Sequence, residues 1–242
     1  MKIGLIGQGA IGSYLKEKIE QDSSLELIGV FDVDKTKTTV NSIEELLEKH
    51  PDLVVEAAGF EAVKTFAEKV LSQTNFLIMS VSALAEKEME EKIIKLCKKN
   101  NTKFFVPSGA IIGLDGISAV KEQLESAELE TRKNPHGFGR EDKKETVLFD
   151  GNAREACRLY PKNVNVSATL SLNGIGFDKT KVRIISDPKT QANTHTIIAK
   201  GSFGKFTIKV EAAPSKNPKT SSLAGMSAFD LIKKIQNENS LY

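Results

Sequence analysis

The sequence predicts an α/β protein, with a Rossmann-type, doubly wound parallel sheet followed by a second α+β domain carrying antiparallel strands. Three observations predict it. Compact apolar runs alternate with helical patterns through residues 2–107. A G-x-G-x-x-G, Gly7-Gln8-Gly9-Ala10-Ile11-Gly12, sits between the first apolar run and the first helical pattern. After Ser108 the rhythm changes to strands joined by short turns. Strands this apolar, separated by helices, belong to a parallel sheet covered on both faces.

The elements follow in order. "KIGLI" (2–6) is a strand, and "SYLKEKIEQ" after Gly12 has helical spacing through Leu15 and Ile19. "LELIGVF" (25–31) is the second strand. "NSIEELLEKH" (41–50) is a helix opened by a capping box, with Ser42 and Glu45 as the reciprocal pair. "DLVVEAAG" (52–59), "NFLIMSV" (75–81) and "TKFFVP" (102–107) are strands, the last stopped by Pro107. "AVKTFAEKVL" (62–71) and "EKEMEEKIIKLCKKN" (86–100) are helices between them.

In the second half, "LDGISAVKEQLE" (114–125) reads as a helix, "LETR" and "KETVLFD" as strands, and "NAREACRLY" and "NVNVSATLSL" as helices. The runs at 181–187, 194–200 and 205–213 look like consecutive strands joined by short turns, with "GSFG" (201–204) as a hairpin turn. "NPHGFGREDKKE" (134–145) is expected to be an exposed, mobile loop. "APSKNPKTSS" (213–222) is a loop before a final helix. The expected division is a dinucleotide domain of residues 1–108, completed by the C-terminal helix 216–242, and a substrate domain of residues 109–215.

Composition narrows the function classes. The chain has 242 residues, 40% of them hydrophobic, and a net charge of +2. Its lysines are dispersed, which argues against a nucleic-acid surface. The longest apolar run, "FLIMSVSALA" (76–85), is too short for a membrane span. The start "MKIGLIG" reads directly as a strand with no signal-peptide pattern, so a cytoplasmic location is expected. Cys97 and Cys157 lack the spacing of a metal site and read as reduced, structural thiols.

The glycine motif gains weight from its context. It follows a strand and opens a helix, and Asp32 lies twenty residues past Gly12 at the end of the second strand. Gly7 permits a tight turn, Gly9 lets the backbone approach a pyrophosphate, and Gly12 lets helix and strand pack closely. The helix N-terminus, beginning at Ala10 and Ile11, offers N–H groups to an anion. Asp32 can accept hydrogen bonds from ribose hydroxyls and repels a 2′-phosphate, which favours NAD. Lys35 and Lys37 partly offset that repulsion and leave NADP open.

Ligands of open α/β sheets bind beyond the carboxyl ends of the strands. "PSGAIIGLDG" (107–116) is expected there, between the two domains, with a helix near Gly113 facing an anionic substrate. Of the three histidines, His50 ends a surface helix and His136 lies in the "NPHGFG" loop. His195, in "QANTHTIIAKG" (191–201), shares a strand face with Asn193 and Ile197. Taken alone, that run favours a solvated strand residue.

Several stretches resemble the L-aspartate dehydrogenase family: "GQGAIG", "VVEAAGFEAV", "PSGAIIGLDGI", "ETRKNP", "LYPKNVNVSATLSL", "VRIISDP", "NTHTI" and "NPKTS". They run in family order from residue 6 to residue 221. The resemblance implies oxidation of L-aspartate to iminoaspartate with NAD or NADP. The imine then hydrolyses to oxaloacetate and ammonia or feeds quinolinate synthase in NAD biosynthesis. Carried over by motif, Ala110 and Asn165 match dinucleotide-binding positions, and His195 matches the proposed catalytic histidine. An ordinary imidazole, with a pKa near ~6.5, accepts protons near neutrality. "IIG" at 111–113 departs from an expected "IGG". Cationic partners for the substrate are expected from Lys162, Arg132 or Lys133, with Ser167 and Thr169 as hydroxyl donors, and the sequence does not rank them. A homodimer is expected, because antiparallel sheets in such second domains often pair across a dimer. The alternatives are another reductase of this architecture, related to homoserine dehydrogenase or dihydrodipicolinate reductase, and a non-enzymatic dinucleotide sensor.

Overall fold

The structure, a computed structural model, describes residues 1–213 and 222–237. The chain divides into two compact units, Met1–Pro107 with Gly225–Tyr242, and Ser108–Ala224. The "NPKTS" stretch and the expected boundary at 215/216 lie outside the described residues.

The first unit alternates strand and helix: β1 (Lys2–Ile6), α1 (Ala10–Gln21), β2 (Glu26–Phe31), α2 (Ile43–Glu48), β3 (Leu53–Glu56), α3 (Phe60–Leu71), β4 (Asn75–Ile78), α4 (Lys87–Asn100) and β5 (Phe104–Phe105). The strands form one parallel sheet in the order β2-β1-β3-β4-β5. Successive residues Leu53, Val54 and Val55 of β3 are all fully buried, so both faces of the sheet are covered. The strand expected over 102–107 shrinks to two residues. Its flanks bond sideways instead: Thr102 Oγ1 donates to Leu71 O, and the Lys103 N–H donates to Asn75 Oδ1. The capping box is also shifted. Ser42 Oγ accepts from the Glu45 N–H, but Glu45 Oε2 reaches back to the N–H of Asn41 rather than of Ser42.

The last helix, α8 (Ser222–Gln236), returns to this unit. A Cβ at Gly225 would lie 2.8 Å from the Tyr14 ring, so α8 and α1 meet at close range. Lys233 Nζ donates to Asp22 at 2.6 Å and to Ser24 at 2.9 Å, pinning α8 to the turn after α1.

The second unit contains α5 (Leu114–Ala119), β6 (Leu124–Lys133), β7 (Thr146–Asn152), α6 (Ala153–Leu159), α7 (Asn165–Asn173), β8 (Lys181–Ser186), β9 (Asn193–Gly201) and β10 (Gly204–Ala212). Its sheet runs β10-β9-β6-β8-β7. β6 and β8 are parallel and the other neighbours antiparallel, so the sheet is mixed. This corrects three expectations. The helix at 114–125 stops at Ala119, because from Leu124 onward the chain alternates buried and outward residues and joins β6. The runs at 181–187 and 194–200 are not neighbours, since β6 lies between them and pairs with both. The 134–145 segment is not uniformly exposed: Pro135 and Gly137 are buried in a short 3-10 turn, and the Asn134 side chain accepts from the His136 N–H.

The core of this unit gathers Ile111, Ile117, Leu129, Leu170, Ile197 and neighbours. Among the described residues, no helix is long and apolar enough to cross a membrane.

Candidate active site

In the first unit, the turn from β1 to α1 is built around its glycines. Gly7 has φ +91°, and a Cβ there would lie 2.6 Å from Ala58 Cα. A Cβ on Gly12 would come within 1.9 Å of the Gly7 carbonyl oxygen. Glycine at these two positions is therefore a requirement of left-handed backbone and close approach. Gly9 caps α1 and faces open space, no side chain caps the helix, and its first turn carries no acid. Ala10 is exposed and Ile11 half-buried at the same end. The helix thus presents bare N–H groups with their partial positive charge.

Asp32 follows β2 directly. Its Oδ2 accepts from the Gln8 N–H at 2.5 Å and its Oδ1 from the Asp34 N–H at 2.8 Å. Each oxygen keeps a second lone pair for a ligand hydroxyl. A cavity of about 480 Å³ opens here, lined by Gly7, Gly9, Asp32, Val33, Lys37 and Ala58 among others. Gln8 Oε1 is buried in this turn without a hydrogen-bond partner. Lys37 lines the cavity beside Asp32, and its Nζ pairs with Asp34 at 3.1 Å. Open glycine, bare helix end and acceptor carboxylate fit a dinucleotide, with pyrophosphate at α1 and ribose at Asp32.

Sequence reasoning missed Glu56, the last residue of β3. It is fully buried. Its carboxyl accepts from the N–H groups of Ala58, Gly59 and Ser80 and from Ser80 Oγ, at 2.7–3.0 Å. Burial pushes its pKa up, and the four donors oppose that shift. The only signal in the sequence was one acid at the end of an apolar run.

In the second unit, one sheet face changes character along its length. Ala127 and Leu129 of β6 sit opposite Ala199 and Ile197 of β9. The next pair on this face is Thr131 opposite His195. Two residues further along each strand, Lys133 and Asn193 continue the face, and Ser186 of β8 pairs with Lys133. All five are buried, with His195 3% and Lys133 5% exposed. His195 Nδ1 lies 3.0 Å from Thr131 Oγ1. Among the described residues its Nε2 makes no hydrogen bond. With Nδ1–H donating to Thr131, Nε2 carries a free lone pair.

The solvated reading of His195 therefore fails, and so does the expectation of a group titrating near neutrality. Burial first, then the charge of Lys133, lower its pKa to about 3, so the imidazole rests neutral. Lys133 is itself pushed down to about 8 by burial. Its Nζ has one weak hydrogen bond, to Asn163 O at 3.4 Å, and lies 5.7 Å from the Phe138 ring centroid. Ser186 Oγ makes no well-formed hydrogen bond, although it is near enough to Asp142 to lower that carboxyl, whose main partner is Arg140.

The other expected site residues are distributed less tightly. Arg132 points away from this face and binds Glu130, Glu145 and Asp187. Ser167 Oγ donates to Val164 O and Thr169 Oγ1 to Asn165 O, so the hydroxyl hydrogens expected for substrate are held by their own helix. Lys162 is exposed. Asn165 opens α7. Ala110 is buried in the core of the unit. Ile112, where glycine was expected, is 52% exposed and has no positive φ, so its backbone does not require glycine. α5, the helix expected to face an anion, is only six residues long. His50 is exposed with φ +52°, and His136 is exposed. Among the described residues no cluster of His, Cys, Asp or Glu is arranged to hold a metal.

Comparison with known proteins bears on both units. The family described as "Homoserine dehydrogenase, NAD binding domain" matches residues 7–107, and that described as "Aspartate dehydrogenase, C-terminal" matches residues 115–235. The chain is 43% identical to an L-aspartate dehydrogenase of Methanosarcina mazei, with 98% of this chain and 97% of the relative covered. It is 38% identical to one of Archaeoglobus fulgidus, with 98% of each covered. The crystal structure of aspartate dehydrogenase from Thermotoga maritima superposes with a TM-score of 0.77 at 29% identity, covering 100% of this chain and 98% of the other. A dihydrodipicolinate reductase from Paenisporosarcina, 12% identical with a TM-score of 0.56, shares the fold. With a pyridine-nucleotide-binding unit and relatives matched along nearly its whole length, the chain belongs to the L-aspartate dehydrogenase family.

Proposed function

We propose that the chain oxidises L-aspartate to iminoaspartate, with NAD as the preferred cofactor and His195 handling the proton of the α-amino group. The supporting observation is the buried Thr131–His195 pair at the point where an apolar sheet face turns polar. A bound nicotinamide supplies the hydride acceptor, at its C4. Everything else falls to the chain. The α-ammonium must lose a proton before its nitrogen lone pair can form the C=N bond as hydride leaves Cα. Thr131 fixes the imidazole, and Nε2 takes that proton directly or through one water. The resting imidazole is a weak base because it is buried and, second, because Lys133 is positive beside it. An anionic substrate offsets that charge and raises the proton affinity of His195 when it is needed.

Asp32 supports NAD over NADP, since a carboxylate beside the ribose repels a 2′-phosphate, while Lys37 moderates the repulsion. Gly7, Gly9, Ala10, Ile11 and Gly12 form the pyrophosphate turn in this reading, and Ala110 and Asn165 complete the dinucleotide contacts. A homodimer in the cytoplasm, supplying iminoaspartate to quinolinate synthesis, belongs to the same proposal. The deciding experiment is NADH formation with L-aspartate, L-homoserine and L-glutamate in parallel. Equal or better turnover of either competitor removes the aspartate assignment. A species of one chain's mass in sedimentation at micromolar concentration removes the dimer.

A further inference from the structure

Lys133 is the one residue of the polar face whose charge is unanswered. A buried ammonium normally has a carboxylate against it, because removing it from water without a counter-charge costs several kcal/mol. Among the described residues Lys133 forms no ion pair. Its contacts are the Asn163 carbonyl at 3.4 Å and the face of Phe138. The neighbouring cation, Arg132, has three carboxylates. β6 therefore sends its saturated cation to one face and its unsaturated cation to the face that carries His195. The side chains flanking it there are neutral: Thr131, Asn193 and the Ser186 opposite it. The acid near Ser186, Asp142, is ion-paired to Arg140.

We propose that Lys133 holds a carboxylate of the substrate beside His195, supplying the buried ammonium with the counter-charge that the protein withholds. This rests on the proposal that the substrate is L-aspartate, and it selects one cation from those the sequence left unranked. Burial lowers the Lys133 pKa to about 8, and a carboxylate held against the ammonium would favour its charged form. A carboxylate held there lies within two or three bonds of the substrate amine, which suits proton transfer to His195 Nε2. It also offsets the Lys133 charge, which adds to burial in keeping the imidazole a weak base.

The test uses Lys133→Met, which keeps the length of the stem and removes the charge, and Lys133→Arg, which keeps the charge. The first readout is steady-state kinetics with L-aspartate. The second is calorimetric binding of succinate, a dicarboxylate without an amine, to the NADH complex. Lys133→Met should raise KM and weaken succinate by about 10- to 100-fold each, the scale of one charge-assisted hydrogen bond. Lys133→Arg should recover part of both, and NADH affinity should be unchanged in both variants. If Lys133→Met keeps KM and succinate affinity within threefold of wild type, Lys133 does not hold a carboxylate. If the wild-type enzyme turns over no L-aspartate, the substrate assignment fails, and succinate binding by wild type against Lys133→Met still decides the role of Lys133.

Discussion

Asp32 has two tasks, and a single substitution separates them. Its carboxylate accepts from the N–H groups of Gln8 and Asp34, and in the proposed complex also from ribose hydroxyls. Asp32→Ala leaves both N–H groups without that acceptor. Both are part-buried, so water replaces the lost acceptor in part, and the cost to the first unit is about 1 kcal/mol each. The cofactor loses one or two hydrogen bonds to a charged acceptor, at about 1.5–3 kcal/mol each, or roughly 10- to 100-fold in affinity per bond. NADP has only its 3′-hydroxyl to lose there, since its 2′-oxygen carries the phosphate, and it is relieved of repulsion between a carboxylate and a phosphate a few ångströms apart, worth about 1–3 kcal/mol near a protein surface. The NAD/NADP affinity ratio should therefore fall by about tenfold or more. Asp32→Asn is the sharper control, since it removes the charge while one oxygen still accepts from a backbone N–H. Fluorescence titration of NADH and NADPH measures the ratio, and thermal unfolding measures the turn. If both variants keep the wild-type ratio within threefold, the carboxylate does not sit at the ribose.

Four further outcomes follow from the geometry. His195→Ala should leave NADH binding intact and lower turnover by about 10²–10⁴-fold, the usual contribution of a positioned acid or base; turnover within a few-fold of wild type would return His195 to a structural role. Gly7→Ala combines φ +91° with a Cβ 2.6 Å from Ala58 Cα, so it should abolish NADH binding and lower the unfolding temperature of the first unit, both visible by titration and calorimetry. His195 stays neutral in the fold down to about 3 but protonates near 6.5 when unfolded, so the unfolded state binds more protons between those values. Stability should fall as pH drops through that window, and His195→Gln should flatten the slope in denaturant titrations. Lys133 has a folded pKa of about 8 against 10.5 unfolded, so its burial costs about 3 kcal/mol while both states are charged. Wild-type stability should rise relative to Lys133→Met between those two values, and a constant gap across them would contradict the burial cost.

What could be read from the sequence was what local geometry dictates. Gly7, Gly12 and Asp32 are constrained by contacts within one turn and the next strand, and their spacing carried that information. The alternation around His195 placed it on a face with Asn193 and Ile197, as the register shows. The order of the second sheet was not legible, because β6 pairs with β8 and β9 across more than forty intervening residues, and nothing local encodes that choice. The partners of His195 were hidden for the same reason. Thr131 and Lys133 meet it only through the β6–β9 register, and in sequence Lys133 looks no different from Arg132 beside it. Ser167 and Thr169 misled because a hydroxyl near a helix start often serves its own backbone, as both do here.

The buried carboxyl of Glu56 gives the first unit an uneven tolerance for change. It collects donors from the loop after β3 and the loop after β4, and Ala58 in the first of these leaves room for no side chain at Gly7. Three crossover loops at one edge of the sheet therefore share a single mount, and lengthening any one of them would displace the other two. At the opposite edge, α8 is tied to the turn after α1 through Lys233, Asp22 and Ser24, side chains that surface water can replace. Sequence drift and engineered insertions should accumulate at that outer edge, while the cofactor edge accepts substitution only in sets.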